Sequence, residues 1–188
     1  RFNYEPYVYR TLDYGKKWSR IVDGEDVESY ALSIVQDKIS PNLLFLGTDD
    51  GLYFSINNAD SWLKWTKDFP TVPVKDLVIQ ERENDLVIGT FGRSAWVIDN
   101  INPLRELADN YSLLENKIEL FEPSTSVLAS YQQPTGSRFG GDALYNGENR
   151  RSGALISYYF NREKSNDSLN KKLKDSLFLN IYDGERLI

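Results

Sequence analysis

With neither histidine nor cysteine among its 188 residues, this chain is left with carboxylates, Tyr, Lys, Ser and Thr for any side-chain chemistry. Thiolate nucleophiles, disulfides and sulfur-ligated metals are excluded, and so is imidazole as base or ligand. The adjacent acids Asp49 and Asp50, set before Gly51, could hold calcium or serve as acid and base in glycoside hydrolysis. The ordinary alternative is a solvated Asp-Asp-Gly turn, in which neighbouring side chains point apart. Arg93 stands between Gly92 and Ser94, an open setting where a guanidinium fork could grip a carboxylate. Its alternative is an ion pair with Asp76 or Asp99. Trp65 and Trp96 could stack on sugar rings, or could simply fill space between sheets. These residues point to ligand contact. None is assigned a catalytic role, and no metal set or cofactor motif is expected.

The elements that must position these residues repeat. Thr11-Leu12-Asp13-Tyr14-Gly15-Lys16-Lys17-Trp18 returns as Ser55-Ile56-Asn57-Asn58-Ala59-Asp60-Ser61-Trp62, with the tryptophans 44 positions apart. Leu43–Thr48 returns as Asp85–Thr90, each an apolar run ending in Gly-Thr, with the glycines 42 apart. Further apolar runs follow each, Leu52-Tyr53-Phe54 and Ala95-Trp96-Val97-Ile98. Others precede them, at 29–35, where Tyr30, Leu32 and Ile34 are expected on one face, and at 74–79. A period of roughly 40–50 residues is that of a four-stranded propeller blade. The expected architecture is all-β, with about two and a half such blades over 1–100: two strands (about 7–21), a full set (about 29–66) and three strands (about 74–99). So few blades cannot close a ring, so the chain is expected to be a piece of a longer protein whose N-terminal blades are its first partners.

In each turn the Asp at the third position can accept bonds from its own backbone, the Gly at the fifth allows a left-handed corner, and the Trp packs between neighbouring sheets. Thr11, Asp13, Gly15, Trp18, Ser55, Asn57 and Trp62 are therefore read as structural. Asn57 for Asp and Ala59 for Gly weaken the second turn on paper. Past Asp99 the sequence predicts a short helix with Asn102 as N-cap and Pro103 at its first position. A strand at 117–123 and a Gly-, Gln- and Asn-rich loop over about 130–151 complete a linker at 101–152. Strand signals at 154–160 and 176–182 and a hairpin turning on Asp183-Gly184 suggest that 153–188 opens a β-sandwich of immunoglobulin or fibronectin type. Hydrophobic residues at 40% and aromatics at 13% supply a packed core. A net charge of −6, without long blocks of either sign, argues against a nucleic-acid partner. No apolar stretch approaches the ~20 residues of a membrane span.

The eight-residue turn pattern resembles the Asp-box, or BNR repeat, of sialidases, xyloglucan-active propeller glucanases and the luminal domain of sortilin. Lys17 stands where that pattern usually has Ser or Thr. The resemblance extends through Gly47–Ser55 and through Gly89–Asp99 with Pro103-Leu104-Arg105, which look like the last blade of large bacterial sortilin-like proteins often labelled glycosyl hydrolases. In those proteins a segment like Tyr145–Asn149 and Gly153–Tyr159 opens a C-terminal sandwich. The resemblance implies a secreted protein of the cell envelope or exterior, acting as a scaffold or binding module for protein or polysaccharide. Its alternative implication is a glycoside hydrolase whose acids lie largely elsewhere. Sialidase chemistry would need an arginine triad and a Tyr–Glu pair, of which Arg93 alone is suitably placed.

Overall fold

The computed structural model describes residues 3–126, 153–161 and 178–187. Three antiparallel sheets follow one another along the chain. β1 (Val8–Arg10) and β2 (Ser19–Val22) form a hairpin. β3 (Ala31–Gln36), β4 (Leu44–Thr48), β5 (Gly51–Ser55) and β6 (Leu63–Lys64) form a four-stranded meander, and β7 (Val74–Gln80), β8 (Asp85–Thr90) and β9 (Ala95–Ile98) a three-stranded one. The strand counts of two, four and three follow the sequence periodicity. The fold class is all-β with one short helix.

Alternation along the strands sorts their side chains into two cores. On one face of the four-stranded sheet Leu44, Leu46 and Tyr53 meet Val22 of the hairpin, with Trp62 closing the edge. On the other, Phe45 and Leu52 meet Val74, Leu77, Leu86 and Ile88 of the three-stranded sheet. Strand β4 is consequently buried along its whole length. β3 and β7 lie side by side, and the Ser33 hydroxyl donates to the Val74 carbonyl at 3.3 Å. Gly47 permits that approach, since a Cβ there would sit 2.6 Å from Val74 Cγ1 and 2.7 Å from its carbonyl oxygen.

Each inner strand carries an irregularity at its start. Register shifts between Ala31 and Ser33 in β3, and between Val74 and Asp76 in β7, leave Leu32 and Lys75 without partners. The expected single face of Tyr30, Leu32 and Ile34 is therefore broken, because the extra residue resets the alternation. Tyr30 itself precedes the strand.

Helix α1 spans Asn102–Asp109, one residue earlier than its capping signal suggested. Ile101 occupies the N-cap with no side-chain bond, and Asn102 lies inside the first turn. The Asn102 side chain is engaged elsewhere, accepting from Arg105 at 2.8 Å. A 3₁₀ turn (Tyr111–Glu115) follows, then β10 (Ile118–Leu120), which pairs with β11 (Tyr158–Phe160). This pairing joins a strand of the expected linker to one of the expected second domain. Phe121 is buried in the core of the first sheets, and Tyr159 packs against it. β12 (Tyr182–Asp183) and β13 (Arg186–Leu187) form a separate hairpin. Its two-residue turn is Gly184-Glu185, not Asp183-Gly184, because Asp183 pairs with Arg186 inside the ladder. The expected loop at 130–151, the Tyr145–Asn149 segment and most of the polar stretch before 176 lie outside the described residues.

Candidate functional site

In an antiparallel meander successive turns alternate between the two ends of the sheet. The turns after β3, β5 and β7 thus share one end with α1. The Asn58 N–H donates to the Asn42 carbonyl there at 2.9 Å. The β4–β5 turn, the β8–β9 turn and the segment entering β7 share the other end, where the Phe91 N–H donates to the Pro73 carbonyl at 2.9 Å. The candidate residues divide between these ends.

At the α1 end the two repeated turns match bond for bond. Thr11 Oγ1 donates to Asp13 Oδ1 (3.0 Å) and accepts from the Gly15 N–H (2.8 Å), while Asp13 Oδ1 accepts from the Lys17 N–H (2.8 Å). Ser55 Oγ donates to Asn57 Oδ1 (2.8 Å) and accepts from the Ala59 N–H (2.9 Å), while Asn57 Oδ1 accepts from the Ser61 N–H (3.0 Å). The second turn thus keeps its geometry despite two substitutions. An amide oxygen accepts as a carboxylate does, and Ala59 adopts φ 71° where Gly15 has 88°. Asp13 is held below the ordinary carboxyl range by the Lys17 N–H first, which with the Thr11 hydroxyl outweighs the opposing effect of burial. The tryptophans differ. Trp62 is 5% exposed and donates to the Ile21 carbonyl of the hairpin, as a residue packed between sheets should. Trp18 is 60% exposed and donates only to Gly15 of its own turn, because no described sheet lies beyond β1 and β2.

At the opposite end the two adjacent acids are drawn apart by different partners. Asp50 accepts from Thr48 Oγ1 (2.7 Å) and from Lys64 Nζ (2.6 Å). Burial works against the Lys64 ammonium, but the Asp50 carboxylate outweighs it and raises the lysine above its ordinary value. Asp49 takes a hydrogen bond from Tyr30, which raises the phenol. Arg93 is different. Its backbone is fixed, since Trp96 Nε1 donates to its carbonyl at 2.9 Å and Thr90 Oγ1 spans the turn to the Ser94 carbonyl at 2.6 Å. Gly92 and Ser94 take positive φ angles of 90° and 61°. The Arg93 side chain is exposed and, among the described residues, forms no ion pair, with either Asp76 or Asp99. Beside it on the same turn, the exposed Phe91 ring lies 5.9 Å from Lys75 Nζ.

No family model, curated protein or solved structure matches this chain. The site is therefore read from its own geometry.

Trp65 and Trp96 line a cleft of about 330 Å³ together with Phe69, Ile88 and Ile98, with Lys67 and Asp68 at its polar side. Trp96 meets Phe69 edge-on at 5.5 Å, and Trp65 meets Phe54 at 5.6 Å. Both indole N–H groups are spent on local carbonyls, of Arg93 and Lys67.

Sequence reasoning missed the buried pair Arg105–Asp37. Arg105 is 6% exposed and Asp37 2%, and Arg105 Nη2 lies 2.7 Å from Asp37 Oδ2. Its Nη1 bonds Asn84 and Asn102 at 2.5 and 2.8 Å. Burial pushes the Asp37 carboxyl up, but Arg105 and the Ser40 and Ile39 N–H groups outweigh it and hold it below the ordinary range. The signal was an arginine set among Leu104, Leu107 and Ala108 on a helix. No group of three or more acids gathers as a metal site would require among the described residues.

Proposed function

We propose that this chain is a stretch of Asp-box β-propeller serving as a binding and scaffold segment, with the end of the sheets bearing the β4–β5 and β8–β9 turns as its recognition face. The observation that carries the reading is the contrast on that face. Asp49 and Asp50 are committed to Tyr30, Lys64 and Thr48, whereas Arg93, on a braced turn, offers a fork with no ion pair among the described residues. A guanidinium carried on a braced turn beside exposed Phe91 and Lys75 suits a carboxylate-bearing protein or polysaccharide, because little backbone freedom of the turn remains to be lost on binding. Two sheets packed side by side through their first strands, with repeated turns at one end, support the radial arrangement. Export to the cell envelope or exterior follows the same resemblance.

The test is a binding screen of the chain against acidic and neutral polysaccharides and acidic peptides, repeated with Arg93→Ala and Arg93→Glu. The reading expects an acidic ligand whose affinity falls about tenfold or more on Arg93→Ala and further on Arg93→Glu, since a charged hydrogen bond contributes roughly 1.5–3 kcal/mol. Turnover of xyloglucan, β-glucan or a sialoside, abolished by Asp49→Asn or Asp50→Asn, would replace the scaffold reading with the hydrolase.

A further inference from the structure

The four-stranded and three-stranded sheets are two copies of one design, and the first shows what the second lacks. Their registers align residue for residue. Gly47 opposite Leu52, Leu46 opposite Tyr53 and Leu44 opposite Ser55 correspond to Gly89 opposite Ala95, Ile88 opposite Trp96 and Leu86 opposite Ile98. In the first sheet β5 goes on to pair with β6, Tyr53 opposite Lys64 and Phe54 opposite Leu63. The residue just before β6 is Trp62, whose buried indole fills the wedge between this sheet and the hairpin and donates to the Ile21 carbonyl at 2.9 Å. In the second sheet β9 pairs only with β8, so its outer row of N–H and C=O groups has no ladder partner among the described strands. Behind that edge, in the wedge facing the four-stranded sheet, lies the cleft lined by Trp65, Phe69, Ile88, Trp96 and Ile98. The open edge and the open cleft are the places that β6 and Trp62 occupy one repeat earlier.

We infer that the β9 edge and this cleft together receive one further strand of the same repeat, antiparallel to β9, with an indole opposite Ile98 seated in the cleft. The inference rests on the repeat-sheet reading of the preceding section and names the partner that reading leaves open. A single strand meets both needs, since its backbone would satisfy the β9 edge while its tryptophan would enter the aromatic cleft, whose volume of about 330 Å³ has room for an indole. Counting by the repeat, the acceptor for the incoming indole N–H is the Trp65 carbonyl, 44 positions after Ile21, whose own N–H is bound to the Leu52 carbonyl at 2.8 Å. The described strands hold no spare copy, for β2 is paired with β1 and β6 with β5.

The test joins a second copy of residues 15–22, which carries Trp18 in a β2-type strand, to the N-terminus of the full chain through a flexible Gly/Ser linker of about 25 residues, giving an effective concentration in the millimolar range. A matched chain carries Trp18→Ala in the added copy only. Hydrogen exchange of the Ala95–Ile98 amides is the readout. The expected result is exchange at β9 slowed about tenfold or more by the tryptophan version, with most of the slowing lost in the alanine version. Unchanged β9 exchange in both versions overturns the inference, as does equal slowing in both, which would mean edge pairing without use of the cleft. Occupation of the cleft by a neutral oligosaccharide, seen as shifted Trp65 and Trp96 indole signals in the unmodified chain, would also overturn it. None of these outcomes depends on Arg93, so loss of the proposed ligand face and loss of this strand site are told apart.

Discussion

Ala59 shows how far one residue can depart from a turn pattern and still be held to it. Its φ of 71° is in the left-handed region, which a Cβ makes costly by roughly 1–2 kcal/mol, yet the Ser55 hydroxyl and Asn57 amide take the same N–H groups as Thr11 and Asp13. The tertiary setting supplies the difference, because Trp62 next to this turn is buried against the hairpin. Ala59→Gly should therefore stabilise the chain by about 0.5–1 kcal/mol in urea denaturation, the strain relieved exceeding the flexibility added to the unfolded state. Gly15→Ala, at φ 88°, should cost a similar amount with the opposite sign. At the other end the same scale separates Asp50, closed by Lys64, from Arg93, whose replacement by Ala should leave the urea midpoint unchanged while weakening binding.

At the scale of elements, Gly47 and Gly89 occupy matching places in β4 and β8 but meet different surroundings. A Cβ at Gly47 would enter the Val74 backbone of the adjoining sheet, whereas at Gly89 its nearest neighbour would be Asp76 Cβ at an ordinary 3.5 Å. Gly47→Ala should cost about 1–3 kcal/mol by forcing β3 and β7 apart. Gly89→Ala should be neutral or stabilising by up to about 1 kcal/mol, since it removes a glycine from a strand without a clash. Thermal melts of the two variants measure the contrast directly. If both lost stability equally, the two sheets would not be joined through Gly47 as described. The open face at Gly89, with Val78 and Val97 exposed on the same side, corresponds to the face that Phe45 buries one sheet earlier.

At the scale of the molecule, Arg105 ties α1 to the turns after β3 and β7 and so joins the helix to both sheets. Ser40 Oγ adds a bond to Asp109 at 2.6 Å and the Asn42 amide one to the Ala108 carbonyl. Arg105→Met strands the Asp37 carboxylate in the interior and should cost about 3–5 kcal/mol at neutral pH, whereas adding Asp37→Leu should recover much of that loss. The pH dependence has a definite sign. Asp37 is depressed in the folded protein, so its contribution is present above the unfolded value of about 3.9 and is lost as pH falls through the lower folded value. Denaturation midpoints of the wild-type chain should therefore fall below about pH 4. In Arg105→Met the unpaired, buried carboxyl is instead raised, and acidification from neutral pH should make that variant more stable.

The sequence alone determined the strand order, because apolar alternation and the 42- and 44-residue repeats are local properties of the chain. It also determined the turn chemistry, since the Thr11, Asp13, Ser55 and Asn57 side chains bond within their own turns. What lay beyond its reach were pairings between distant residues. Only the tertiary structure decided that Asp37 and Arg105, 68 positions apart, share one buried site. It likewise decided that Trp62 is covered while Trp18 is not, and that Asp49 and Asp50 turn to separate partners. The physical reason is that a repeat fixes what each strand is, whereas burial and charge depend on which neighbour packs against it.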